Sequence, residues 1–196
     1  MLPVVTLPLV LLLLVEGGVK VGDKAPAFSL KNVDGRTVSL ADYQKEKGVV
    51  LIFTCNHCPY AKAYEERIIA LHKELAPKGF PVVAINPNDP QIVPEDSYEN
   101  MQKRAKEKKY PFVYLFDETQ EVAKAYGAQK TPHIFLLKNT AEGFVVAYIG
   151  TLDDSPNDPK KVQKRYVVEA VEAILAGEPV PIAETKAIGC SIKWRR

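Results

Sequence analysis

The chain has 196 residues, 46% of them hydrophobic and 26% charged, with a formal net charge of +2. That length builds one domain with a substantial core, and no segment is poor enough in apolar residues for extended disorder. So small a net charge gives no field that implies nucleic-acid binding, and three cysteines are too few for a disulfide-stapled scaffold.

The opening run MLPVVTLPLVLLLLV is apolar apart from Thr6 and stops at EGG. It has the length of a secretory signal core and falls short of the ~20 residues that cross a bilayer. Residues 1–18 are therefore expected to be a signal or uncleaved anchor. Export to the periplasm or another extracytoplasmic space follows, with membrane association through residues 1–15 and a cytoplasmic setting as the alternative. No Lys or Arg precedes the run and no small-x-small cleavage site lies near Glu16–Lys20, so an added buried strand or helix is the rival.

Next, Phe28, Leu30, Val38 and Leu40 alternate on either side of Asp34-Gly35, the pattern of a β-hairpin. Val49–Phe53 is a continuous β-branched and aromatic run, suited to a strand buried on both faces. A helix follows with Tyr64, Ile68, Leu71 and Leu75 on one face, closed by Pro77 and Gly79. Phe80–Ile85 reads as another buried strand and NPNDPQIVPED as a loop. Asp96 or Ser97 can cap a polar helix to about Lys108, whose basic stretch KRAKEKK reads as a solvated face. FVYLF then makes a strand, ETQEVAKAYG a short helix stopped by Gly127, and HIFLL with FVVAYIG a hairpin across KNTAEG. A last helix is expected over Val162–Ala176 with Gly177 as its stop. This order predicts an α/β fold with a central mixed sheet and helices on both faces.

The chemistry concentrates in CNHCPY. A cysteine between a buried strand and a helix start meets unpaired N–H groups and partial positive charge, both of which favour a thiolate. Cys55 is assigned as that nucleophile, with a pKa lowered to roughly 3.5–7.5 as in other Cys-x-x-Cys pairs. Cys58, nearly one turn on, can resolve a mixed disulfide on Cys55, and Pro59 suits the first helical turn. Asn56, His57 and Pro59 are assigned as modulating residues, His57 by favouring the Cys55 thiolate; an exposed linker histidine is the alternative. Two further readings compete: a pair of inert buried thiols, and a metal site of Cys55, His57 and Cys58 that would need Cys190 or His133 as well. Cys190, in the tail ETKAIGCSIKWRR, can reach the active site, pair with another molecule, or pack as a small apolar group. Trp194 reads as a packing anchor for that tail.

Strand, CNHC, helix, then FDETQEVAKAYGAQKTPHIFLLKN together resemble the thioredoxin superfamily. VGDKAPAFSL, DGRTVSLADY and the insertion after VVAINPND, following the second core strand, are more similar to its redoxin branch of peroxiredoxins and TlpA/ResA-like oxidoreductases. CNHCPY with AIGCSIKW resembles a narrower group of bacterial redoxins. The resemblance implies a thioredoxin-like domain over residues 19–177 with the N-terminal hairpin added, and a tail, 178–196, packed on it. It implies that Pro132 is a cis-proline facing the cysteines, where a trans turn proline is otherwise expected. It further implies that Thr131 offers its backbone to an extended substrate peptide. The activity implied is thiol–disulfide exchange with protein disulfide or dithiol substrates and a redox partner, without a cofactor or metal. Thiol-dependent peroxide reduction and copper(I) or other metal binding are the alternatives. Two departures stand out. GVVLIFT lacks the buried acid that thioredoxins place in the central strand, leaving only Glu118 or Asp89 as guesses. Gly48 and Ile52 occupy the positions of the proline and hydroxyl residue in the peroxiredoxin motif Pro-x-x-x-Thr/Ser-x-x-Cys.

Overall fold

A computed structural model describes residues 17–196, so the expectations for the apolar leader lie outside the described residues apart from its last two glycines. Strands β1 (Ser29–Asn32) and β2 (Thr37–Ser39) form the predicted hairpin, Leu30 opposite Val38, with Gly35 at φ 88° in the turn. The apolar run becomes β3 (Gly48–Phe53), buried at every position. Its neighbour is α1 (Pro59–Leu75), which turns Tyr64, Ile68, Leu71 and Leu75 inward. After β4 (Val82–Asn86) and a long loop comes α2 (Tyr98–Lys108), whose first turn is capped by Ser97 Oγ accepting the Asn100 N–H at 3.3 Å. The rest of the domain is β5 (Val113–Phe116), α3 (Glu121–Tyr126), β6 (Lys130–Thr131), β7 (His133–Thr140), β8 (Gly143–Gly150) and α4 (Tyr166–Ala176). A short β9 (Cys190–Ser191) lies in the tail.

The sheet order is β2-β1-β5-β4-β3-β7-β8, with β3, β4 and β5 parallel and the remaining pairs antiparallel. Along β3 the side chains alternate between two cores. Val49, Leu51 and Phe53 pack with Ala123 and Tyr126 of α3, whereas Val50 and Ile52 pack with Tyr64, Ile68, Val168 and Val171 of α1 and α4. This is the expected mixed α/β sandwich, a thioredoxin-like fold. Its parallel strands all end at one edge, where the loops after β3 and β4 meet; such an edge is where open α/β sheets place their ligands.

Helix α4 starts at Tyr166 rather than Val162. Asp154 is the cause: its carboxylate accepts the Gln163 N–H at 2.9 Å and its own N–H donates to the Lys164 carbonyl at 3.2 Å, holding that stretch outside the helix. Among the described residues no helix is long and apolar enough to cross a membrane.

Candidate active site

The strand-to-helix junction is built as follows. Pro59 is the first residue of α1 and Cys58 its N-cap, in extended backbone at φ −64° and ψ 127°. Cys55 stands one loop back, anchored by the Thr54 N–H donating to the Ile85 carbonyl at 2.8 Å. From across the sheet, Thr131 closes over both sulfurs. Its Oγ1 is 3.2 Å from Cys55 Sγ and its carbonyl oxygen is 3.1 Å from Cys58 Sγ. The following Thr131–Pro132 peptide bond is cis. Cys55, Cys58, Thr131 and Pro132 thus converge, although 73 residues separate Cys58 from Thr131.

The pairing of sulfurs differs from the one expected. Cys58 is joined to Cys190, with 6.1 Å between their Cα atoms, and Cys55 is the free thiol. The reason is the strand pairing of the tail. Strand β9 runs antiparallel to β6 with Cys190 directly opposite Thr131, which delivers the third sulfur to the one already held at the Thr131 carbonyl. In this structure the backbone edge that the resemblance gives to a substrate peptide at Thr131 is occupied by the chain's own Cys190–Ser191.

Electrostatics at Cys55 also run against expectation. Burial pushes its thiol up to about 11, and the nearby Asp96 carboxylate adds to the rise; the Thr131 hydroxyl and the N–H groups of Cys58 and His57 oppose it less strongly. The sequence argument gave Cys55 the helix end, but that place belongs to Cys58, and desolvation of a thiol only 6% exposed outweighs the nearby dipoles. His57 Nδ1 is 3.5 Å from Cys55 Sγ and only 2.5 Å from Asp96 Oδ2. One ring nitrogen faces both groups, and an N–H there donates to the nearer Asp96 carboxylate.

Asp96 is the site residue that sequence reasoning missed, having figured only as a helix cap. It is fully buried, and its Oδ1 accepts the Asn56 and His57 N–H groups at 2.6 and 3.2 Å. Its Oδ2 takes the Asn88 side-chain amide at 2.8 Å in addition to His57. The acid beside the thiols therefore comes from the loop after β4 and not from the central strand. The two guessed acids lie elsewhere: Asp89 faces Arg195 at 3.5 Å, and Glu118 is exposed. Asn56 is a tether, its amide donating to the Glu95 carbonyl at 2.9 Å and its Oδ1 accepting from the Tyr114 hydroxyl at 3.0 Å. In the rival metal reading of CNHC, Cys58 is not available as a thiolate ligand because it is bonded to Cys190. The donor atoms that do cluster are those of Cys55, His57 and Asp96, all within 4.8 Å of one another. His133 is buried beside Phe135, its Nδ1 accepting the Gln129 N–H at 3.3 Å.

The AhpC/TSA family profile matches residues 21–166. Among solved structures, an uncharacterized conserved protein from Geobacillus kaustophilus is 46% identical, with a TM-score of 0.83 over 90% of this chain and 93% of that one. The thiol-disulfide oxidoreductase ResA of Geobacillus thermodenitrificans is 30% identical over 61% of this chain and 64% of its own length, just under two thirds. A relative named putative peroxiredoxin bcp, from Helicobacter pylori, is 29% identical over 68% of this chain and 85% of its own.

Proposed function

The chain belongs to the AhpC/TSA family, and from that premise we propose that it is a thiol–disulfide oxidoreductase working through Cys55 and Cys58. The observation that carries this reading is the convergence of both sulfurs on Thr131, next to the cis bond at Pro132. Starting from reduced protein, the Cys55 thiolate attacks a substrate disulfide, one substrate thiol leaves, and a mixed disulfide remains. Cys58 then attacks Cys55 Sγ, the second substrate thiol leaves, and a Cys55–Cys58 disulfide forms. Run backwards, the same steps donate a disulfide. Substrates are protein disulfides or dithiols, in keeping with the similarity to ResA. The modulating role given to His57 is shared with Asp96, which holds the imidazole against the sulfur loop. An extracytoplasmic setting belongs to the same reading, supported by the apolar composition of residues 1–15 and by a disulfide between Cys58 and Cys190, a bond that persists in oxidising compartments.

The test is turnover of a protein disulfide such as insulin with a dithiol as reductant. Cys55→Ser is expected to abolish it, and Cys58→Ser to accumulate a mixed disulfide on Cys55. Equal rates in the two variants and the parent would refute the assignment. Peroxide reduction is the second reading, favoured by the similarity to putative peroxiredoxins. Against it, Ile52 lies wholly buried where a peroxidatic hydroxyl would stand. Rapid second-order loss of the Cys55 thiol with hydrogen peroxide would move the assignment to that class.

A further inference from the structure

Three sulfurs meet at Thr131, while the exchange just described uses two. Cys58 is fully buried, Cys55 is 6% exposed, and Cys190 packs against this pair from the tail side as a partly buried residue. The tail is seated by contacts on both flanks of Cys190. Ahead of it, the Thr185 N–H donates to the Ile149 carbonyl at 2.9 Å, and the Thr185 hydroxyl accepts the Thr151 N–H at 3.0 Å. Beyond it, Ile192 is buried in the main core and its N–H donates to the Gln129 carbonyl at 3.2 Å. The Lys193 N–H donates to Asn88 Oδ1 at 2.8 Å, on the same loop as Asp96. Gly189 lies so close to the active site that a Cβ there would stand 2.3 Å from the Thr131 carbonyl oxygen and 3.1 Å from the Pro132 nitrogen. Contacts under 3.0 Å are ones that real Cβ atoms essentially never make, so at this point the tail passes where only a glycine fits.

We propose that Cys190 is a third redox residue of this enzyme, which takes Cys58 from Cys55 and so returns Cys55 to the free thiol. The inference rests on the exchange proposed above for Cys55 and Cys58. The Cys190 thiolate attacks Cys58 Sγ of the Cys55–Cys58 disulfide; the Cys58–Cys190 bond forms, the Cys55–Cys58 bond breaks, and Cys55 leaves with the electron pair. The proton lost from Cys190 is regained, through solvent, by Cys55. No net oxidation occurs, so no further reagent is needed. Two features set the direction. The high pKa of the Cys55 thiol slows its expulsion, but once expelled it is reprotonated and does not readily attack again. The strand register holds Cys190 at Cys58, where a free tail would have to find it. The outcome is a resting oxidised form whose disulfide presents its more exposed sulfur, Cys190, to an incoming reductant, while the substrate-side thiol is already restored.

The experiment maps the disulfide in full-length protein that has been reduced, reoxidised with hydroxyethyl disulfide, acid-quenched and alkylated in denaturant. Trypsin places Cys55 and Cys58 on one peptide, Gly48–Lys62, and Cys190 on another, Ala187–Lys193. The expected product is these two peptides cross-linked, with fragmentation placing the bond on Cys58 and the alkyl group on Cys55. Gly48–Lys62 closed on itself with Cys190 alkylated would overturn the proposal, as would a Cys55–Cys190 bond. Cys190→Ser is expected to stop at Cys55–Cys58. Gly189→Ala keeps all three thiols but unseats the tail, and is expected to lower the yield of Cys58–Cys190 at least tenfold; an unchanged yield would refute the role given to the seating. Insulin turnover by the parent and by Cys55→Ser is measured alongside. Loss of turnover in Cys55→Ser together with a closed Gly48–Lys62 peptide condemns the third-thiol step alone. A parent without turnover, or a Cys55→Ser variant at parental rate, condemns the underlying exchange.

Discussion

With Cys58 and Cys190 joined, Cys55 is the one free thiol in the chain, and its ionisation can be followed without interference. The thiolate is the reactive form, so its population sets the alkylation rate. Burial and Asp96 raise Cys55 from an ordinary 9.0 to about 11. At pH 8 a thiol of that kind is ionised in about one molecule in a thousand, against about one in ten for an ordinary cysteine, a difference of about a hundredfold or roughly 3 kcal/mol. The assay is iodoacetamide labelling of the oxidised protein from pH 7 to 11, read by mass of the peptide that carries Cys55. The logarithm of the rate is expected to climb with unit slope to about pH 10 and to bend over near pH 11, and at pH 8 the rate should be on the order of a hundredfold below that of glutathione. Asp96→Asn removes a negative charge that disfavours the thiolate, so its curve should move to lower pH. A plateau below pH 8 in the parent protein would refute the reasoning and restore the helix-end argument for a low-pKa nucleophile.

Two other outcomes follow from buried side chains. His133 is lowered by burial from 6.5 to about 4, so between those values the unfolded chain binds the extra proton and the folded one does not. Stability should therefore fall as the pH drops through that window, by about 1.4 kcal/mol per pH unit and about 3 kcal/mol in all from this residue. Urea titrations at pH 7 and pH 4.5 check it; His133→Gln should lose this share of the acid sensitivity, and an identical pH dependence in the variant would contradict the assignment. Ile192→Ala removes a core side chain from the tail and should cost about 2 kcal/mol or more. Hydrogen exchange at the Ile192 amide should accelerate in that variant, whereas unchanged protection would show the tail to be held from elsewhere.

The parts of the fold readable beforehand are those with a long, repeated signal. β3 is a continuous apolar run, α1 carries four inward residues at helical spacing, and the first hairpin brackets Asp34-Gly35 with alternating residues. The parts missed are short or non-local. β6 and β9 have two residues each, too few to show any period, and their pairing joins positions 59 residues apart across Thr131 and Cys190. Asp96 reaches the cysteine loop from 40 residues away, and in VPEDS nothing distinguishes it from a helix cap. The two cysteines of CNHC stand out in the sequence because chemistry and spacing coincide in one stretch. The ionisation of Cys55 was misjudged because its dominant influence, the removal of water by packed neighbours, leaves no mark in local sequence.

The tail strand beside Pro132 also bears on how tightly anything else can dock there. A tethered segment competes at an effective concentration on the order of millimolar, whatever its intrinsic affinity. Any extended polypeptide seeking that backbone edge must first displace this resident strand.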